Sequence, residues 1–353
     1  MIRLRDLLNK ELETLIPTAG VNGPYNEPET RVRNLSHYIS TICLAEKQNI
    51  KIPQNSLSVH DALDELISNG HKPMNASYWC RSNPKKDFCN GVMGQAWVLE
   101  ALTLYAECFN CKAALSEASR LYERHPYSDS ELIWQRVAVD GMFLPFDSTF
   151  NHQLWFAAVS SRLQNEMAKR HSENFLELLS SDLILYKNGI IKHTSPMGCR
   201  NGSLKALVKK SVIKYDSLLS KERHKLYYKS IGYHAFNLYA LAMLKEEFPS
   251  HLFWESKKFK LMLDVTKSKT FIDLVINNKY GMYYNPSGVE LCFVGEIFNL
   301  GREYCERFLN LQMKQTFCSK TNKLLVRNSP DYHTSAARIY EAFRIQGEYE
   351  LNY

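Results

Sequence analysis

Apolar residues recur at helical spacing through most of the chain, and the segments they define fall into two kinds. One kind, at about 2–15, 57–69, 112–125, 167–181, 255–276 and 302–316, is rich in Lys and Glu on one face. The other kind, at about 29–46, 91–108, 150–164, 230–246, 288–300 and 333–346, is rich in Leu, Ala, Gly and aromatics on all sides. A helix that is apolar all round is buried on several sides, and one with a charged face borders solvent. The alternation therefore predicts six helical hairpins, each with an outer and an inner member. Six such hairpins closing on themselves give an all-α (α/α)6 toroid.

Three inner segments share a pattern: Phe150-Asn151-His152-Gln153-Leu154, Gly232-Tyr233-His234-Ala235-Phe236, and Asp331-Tyr332-His333-Thr334-Ser335. Each places a histidine in the first turn after a loop, as repeated supersecondary units do. Strand signals are few. Leu183–Tyr186 and Ile190–His193 flank Lys187-Asn188-Gly189, and Asn-Gly is a strong hairpin signal. Lys279–Tyr284 reads as a second short extended piece. These β-hairpins fall in loops, where they rim the mouth of a toroid. The polar, basic stretch 194–229 has no clear assignment.

The 353 residues are enough for two domains, but a double ring of helices uses the whole length, 1–353, as one. Hydrophobic content of 45% and charged content of 23% are ordinary globular values. The net charge of +7 is spread along the chain, and its densest cluster, Lys205 to Lys214, lacks interleaved aromatics. No nucleic-acid module accompanies it, so nucleic acid is not an expected partner. No apolar run is long enough to span a bilayer, and Met1 opens a charged amphipathic helix rather than a signal peptide. With nine cysteines and no leader, a cytoplasmic protein with free thiols is expected, one that does not partner a membrane. Cys108 and Cys111 form a lone C-x-x-C without the second pair a structural zinc needs, so no metal is expected. Glycines are scattered with no phosphate-cradling loop, so no cofactor is expected either. The oligomeric state is left open.

The most specific local pattern lies between about 87 and 158. Asn90-Gly91-Val92-Met93-Gly94 opens an inner helix that continues through Leu99-Glu100-Ala101-Leu102 and Leu104-Tyr105. Val139-Asp140-Gly141-Met142 precedes another, with Leu154-Trp155-Phe156-Ala157. This pair resembles the signatures of the unsaturated glucuronyl and rhamnogalacturonyl hydrolases, glycoside hydrolase families 88 and 105, within the six-hairpin glycosidase superfamily. The resemblance implies an (α/α)6 barrel and an oligosaccharide substrate containing an unsaturated or acidic sugar. It also implies an aspartate that protonates the double bond. The chain departs from the family in the inserted Phe143–Thr149, which brings a second carboxylate, Asp147, and in Asn90 where family 88 carries Asp.

On this reading Asp140 is the general acid/base and Asp147 a second carboxylate, two such groups dividing labour when their environments differ. Asp147-Ser148-Thr149 equally suits a helix cap. His152 and His234 act at the reacting sugar, and His333 completes a set converging on the mouth. Asn90, Gln95, Trp97, Gln153 and Trp155 contribute polar and aromatic surface for binding. Arg338, one turn past His333, offers a bidentate fork for a carboxylate. Glu100, Glu296 and Glu341 also lie on inner helices, where a buried carboxylate needs a partner. Two alternatives stand beside the hydrolase: a sugar epimerase or isomerase driven by the mouth histidines, and a glycan-binding protein of a surface-polysaccharide system without catalysis.

Overall fold

The computed structural model describes residues 1–54, 56–200, 208, 211 and 220–352. The inner helices are α2 (Val32–Lys47), α4 (Gly91–Phe109), α6 (Phe150–Ser160), α9 (His234–Glu247), α12 (Ser287–Ile297) and α14 (Tyr332–Ala337), the last prolonged by a 3-10 segment, Arg338–Arg344. They pack in cyclic order: α2 on α4, α4 on α6, α6 on α9, α9 on α12, α12 on the 3-10 segment, and that segment back on α2. This closes the toroid. Burial follows the composition. Every residue of α4 from Gly91 to Ala106 is buried, as is every residue of α9 from His234 to Leu244.

The outer helices are α1 (Leu4–Leu12), α3 (Val59–Ile67), α5 (Lys112–Glu123), α7 (Glu166–Asp182), α10 (Lys257–Thr266), α11 (Lys269–Ile276) and α13 (Arg302–Thr316). Four of them, α3, α7, α10 and α11, start on side chains that satisfy otherwise unpaired amides. Ser58 accepts from the Asp61 amide, Asn165 from Ala168 and Ser256 from Phe259. The stretch expected as one helix over 255–276 is two. Ser268 is extended (φ −74°, ψ 140°) and caps a new helix through the Phe271 amide, which breaks the axis. A further helix, α8 (Ser220–Gly232), precedes α9, and Tyr233 separates the two where one inner helix over 230–246 was expected.

The Asn188-Gly189 hairpin is present in its shortest form. Leu185 and Ile191 bridge antiparallel, the Tyr186 amide donates to the Ile190 carbonyl at 2.8 Å, and Gly189 takes φ +94°. Residues 279–284, expected to be extended, form turns instead, with the Gly281, Tyr284 and Asn285 amides all bonded to nearby carbonyls. Two short antiparallel pairs escaped the sequence pattern. β1 (Ile2–Arg3) pairs with β4 (Glu350–Leu351), and β2 (Tyr127–Ser128) with β3 (Ile133–Trp134). Most of the basic stretch 205–214 lies outside the described residues. Among the described residues no helix is long and apolar enough to cross a membrane.

Charges buried between the inner helices are paired. Arg344 meets Glu100 at 2.6 Å, and Arg338 lies between Glu290 (2.9 Å) and Glu341 (2.6 Å). Burial pushes the Glu290 and Glu341 carboxyls up, with Arg338 opposing the shift. Glu296, in the last turn of α12, accepts from the Gln346 and Gly347 amides and from the Tyr349 hydroxyl.

Candidate functional site

A cavity of about 170 Å3 lies at the end of the toroid where α4 and α6 begin. An enclosed space of about 150 Å3 accommodates one six-membered ring, so this cavity is the size of a single sugar unit. Asn90, Thr149, Asn151, His152, His193, Lys229, Tyr25, Tyr233, Tyr284, Trp97 and five cationic side chains in all contribute to its wall, and no aspartate or glutamate does among the described residues.

The α4 start is unusual. Asn90 (φ 56°, ψ 42°) and Gly91 (φ +59°) are both left-handed, so the chain turns sharply into the helix. A Cβ at Gly91 would stand 2.7 Å from Asp147 Oδ2 and 3.0 Å from His152 Nδ1. Glycine here lets the helix end approach a hydrogen-bonded dyad. Asp147 Oδ2 and His152 Nδ1 are 2.5 Å apart, and Asp147 Oδ1 accepts from the Thr149 amide at 2.9 Å. Burial favours the neutral acid at Asp147, but the bonds from His152 and Thr149 outweigh it and hold the carboxyl well below its usual range. Asp147 is thus an ionised acceptor. It fixes the His152 ring with Nδ1 committed and Nε2 free of protein partners among the described residues, the second-carboxylate logic of imidazole catalysis.

His193 is the second imidazole. It follows the Asn-Gly hairpin and is anchored by its backbone: the His193 amide donates to Ser230 Oγ at 3.0 Å, and the Phe150 amide donates to the His193 carbonyl at 3.1 Å. Its ring is 7% exposed and packs 5.0 Å from Tyr233, yet Nδ1 is buried with no hydrogen-bond partner. Burial, together with Lys229 and His152, pushes its pKa well below the ordinary histidine value, so it is neutral at pH 7. Asn151 Oδ1, on the same wall, is likewise buried and unpartnered. Unsatisfied buried polar atoms are rare and costly in proteins. Here two of them line one cavity.

The residues singled out from the sequence divide sharply. Asn90, Trp97, His152 and Arg338 line the cavity, with Asp147 directly behind His152. Asp140 lies outside it; the residue is exposed and its Oδ1 accepts from the Met142 amide at 3.0 Å, a turn interaction. His234 is fully buried and spent: Nδ1 accepts from the Ile191 amide at 3.2 Å and Nε2 donates to the Met262 carbonyl at 3.0 Å. His333 is exposed beside Tyr332, away from the cavity wall. The three first-turn histidines therefore do not converge.

Gln95 and Gln153 are braces. Gln95 grips both the amide and the carbonyl of Tyr78 (2.8 and 3.1 Å), and Gln153 does the same for Trp134 (3.0 and 2.9 Å). Trp155 is core, stacked 4.6 Å from Phe236 and 5.7 Å from Tyr239. The Arg338 guanidinium is saturated by Glu290, Glu341, Asn285 and the Tyr284 carbonyl, which leaves no free fork for a ligand carboxylate. His193 was missed as a site residue because it sits on a hairpin arm rather than an inner helix; the Asn188-Gly189 turn was its only signal.

A closed double ring of helices, its inner members packed in cyclic order and an imidazole-bearing, cation-lined cavity at one end, is an (α/α)6 toroid. Solved structures of that fold superpose on nearly the whole chain. A cellobiose 2-epimerase from Bacillus thermoamylovorans gives a TM-score of 0.64 at 11% identity, covering 96% of this chain and 98% of that one. A D-mannose isomerase gives 0.64 at 12%, covering 96% and 95%. A family 76 α-mannanase from Bacteroides thetaiotaomicron gives 0.54 at 9%, covering 97% and 94%. No family model matches. In sequence the chain is 38% identical over 350 residues to archaeal glycosylation protein Q of Haloferax volcanii, covering 94% of this chain and 92% of that protein, and it belongs to that family.

Proposed function

We propose that this protein is a carbohydrate-active enzyme that isomerises or epimerises a single sugar unit by proton transfer at the carbon next to its carbonyl. The observation that carries the reading is the pair of imidazoles in one monosaccharide-sized cavity: His193 neutral and unpartnered, His152 held by ionised Asp147. His193 is neutral with an unpartnered Nδ1, the form of an imidazole that takes a proton from carbon. His193 removes the hydrogen at C2 of the open-chain sugar, and the electron pair moves through the C1 carbonyl to oxygen. His152 supplies a proton to that oxygen, Asp147 stabilising its imidazolium form. The enediol then takes a proton at C1 while its C2 hydroxyl gives its proton to His152, which yields a ketose, or takes a proton at the other face of C2 while O1 returns its proton to His152, which yields the epimer. Asn90 and Asn151 present amides to the sugar hydroxyls.

The structural neighbours include an epimerase and an isomerase, and the relative in sequence is a glycosylation protein; both support a sugar substrate for this chemistry. The hydrolase expectation, with an aspartic acid protonating an unsaturated uronide, has less support. It requires a protonated carboxyl at the sugar, whereas Asp140 is at the surface and Asp147 is ionised behind His152.

Replacement tests the assignment. His193→Asn and His152→Asn should each lower isomerisation by at least about 100-fold, the scale of a lost acid or base, while Asp140→Asn and His333→Ala leave it within about twofold. Loss in Asp140→Asn with retention in His193→Asn would restore the hydrolase reading.

A further inference from the structure

Five cations line the cavity: Arg33, Arg81, Lys86, Lys229 and Arg338. Four have carboxylate partners. Arg33 pairs with Glu29, Arg81 with Asp87, Lys86 with Glu27, and Arg338 with Glu290 and Glu341. Lys229 alone has none among the described residues. Its ammonium lies over three tyrosine rings instead, 5.1 Å from the centroid of Tyr25, 5.7 Å from Tyr233 and 5.9 Å from Tyr280. Ring faces hold a cation in place, but they offset only part of what a buried charge loses on leaving water. Burial, with Lys86 adding to it, pushes the Lys229 ammonium down to about 8. A positive charge kept in such a wall, beside the two imidazoles, lacks its counter-ion.

We infer that Lys229 is the counter-ion of a carboxylate on the sugar, so that the substrate is a monoanionic sugar acid rather than a neutral sugar. The inference rests on reading this cavity as a sugar site. One unpaired ammonium balances one negative charge, whereas a sugar phosphate brings about two at neutral pH. The tyrosine hydroxyls add donors: Tyr25 and Tyr233 are 3.2 Å apart, with one proton of the pair left for a ligand oxygen. Tyr25, Tyr233 and Lys229 thus recognise the carboxylate end, while His152 and His193 meet the carbonyl end.

The experiment is calorimetric binding of D-glucuronate, D-glucose and D-glucose 6-phosphate to the wild-type protein and to Lys229→Met, which keeps the aliphatic stem and loses the charge. Wild type should bind glucuronate at least about tenfold more tightly than glucose, the scale of one charge-assisted bond. Lys229→Met should erase that preference, and Lys229→Arg should recover part of it. Glucuronate bound no more tightly than glucose, a preference for the phosphate, or an unchanged preference in Lys229→Met overturns the inference. Hydrogen exchange at C2, followed by proton NMR in the same samples, separates the two claims. Charge-selective binding without exchange keeps Lys229 in its role and removes the isomerisation reading. Exchange on glucose that Lys229→Met retains does the reverse.

Discussion

At the scale of single residues, the site depends on backbone that only glycine adopts easily and on a carboxylate that serves an imidazole. Gly91→Ala meets both limits: φ +59° disfavours any Cβ, and that atom would press on Asp147 and His152. The variant should unfold at a lower temperature by a cost of about 1–2 kcal/mol. It should lose a larger share of its activity than of its stability, as seen by comparing melting with turnover. Asp147→Asn should cost a few kcal/mol, on the order of a broken buried pair. Because the folded pKa of Asp147 is depressed, its contribution is fully present above the unfolded value near 4 and fades as pH falls below it. The stability gap between Asp147→Asn and wild type should therefore narrow in acid, measurable by denaturant melts at several pH values. His152 and Asn90 were legible in the sequence because they open apolar inner helices. His193 was not, since its position follows from a backbone bond to Ser230, 37 residues away, which no local pattern encodes. His234 and His333 looked equivalent to His152 by spacing. One was consumed by the Ile191 amide and the Met262 carbonyl, and the other faced solvent, outcomes decided by tertiary packing.

At the scale of elements, inner helices carry the floor of the site and a loop hairpin carries its base. The arm Ile190–His193 is tied at alternate residues, Ile191 to His234 and His193 to Ser230. Ser230→Ala leaves the buried His193 amide unpaired, a cost of about 1–3 kcal/mol, and loosens the ring it positions. We expect a fall in turnover larger than any change in the Michaelis constant, measured by steady-state kinetics beside a melting curve. The helix pattern was readable wherever apolar periodicity ran long, so α4, α7 and α13 lie within a residue or two of expectation. Breaks within elements were not readable in advance. Ser268 resets the axis between α10 and α11, Tyr233 divides α8 from α9, and the last inner helix tightens to 3-10 at Arg338. Each is a capping or packing choice made in three dimensions.

At the scale of the whole molecule, closing the ring buries histidines as neutral groups. His125 and His234 are lowered from 6.5 to about 4, and His37 and His193 are also lowered well below 6.5 by burial and nearby cations. The unfolded chain takes up protons near 6.5 that the folded chain refuses, so stability is complete above that value and declines as pH falls through it. His125 and His234 alone each cost about 3 kcal/mol by pH 4. The melting temperature should drop steadily between pH 7 and pH 4, and a flat profile across that range would contradict the buried neutral assignments. Ring closure itself was legible from six alternating helix pairs. The chemistry in its mouth was legible only as a class, because the charges that decide it come from Lys229 on α8 and from the paired arginines, which no single segment brings together.

The most direct measurement is solvent deuterium incorporation at C2 of a sugar acid, followed by proton NMR in heavy water with D-glucuronate, D-galacturonate and D-mannuronate. The account predicts loss of the C2 proton signal with wild type and its persistence with His193→Asn. Turnover that leaves the C2 proton in place, or exchange that His193→Asn performs as well as wild type, would contradict it.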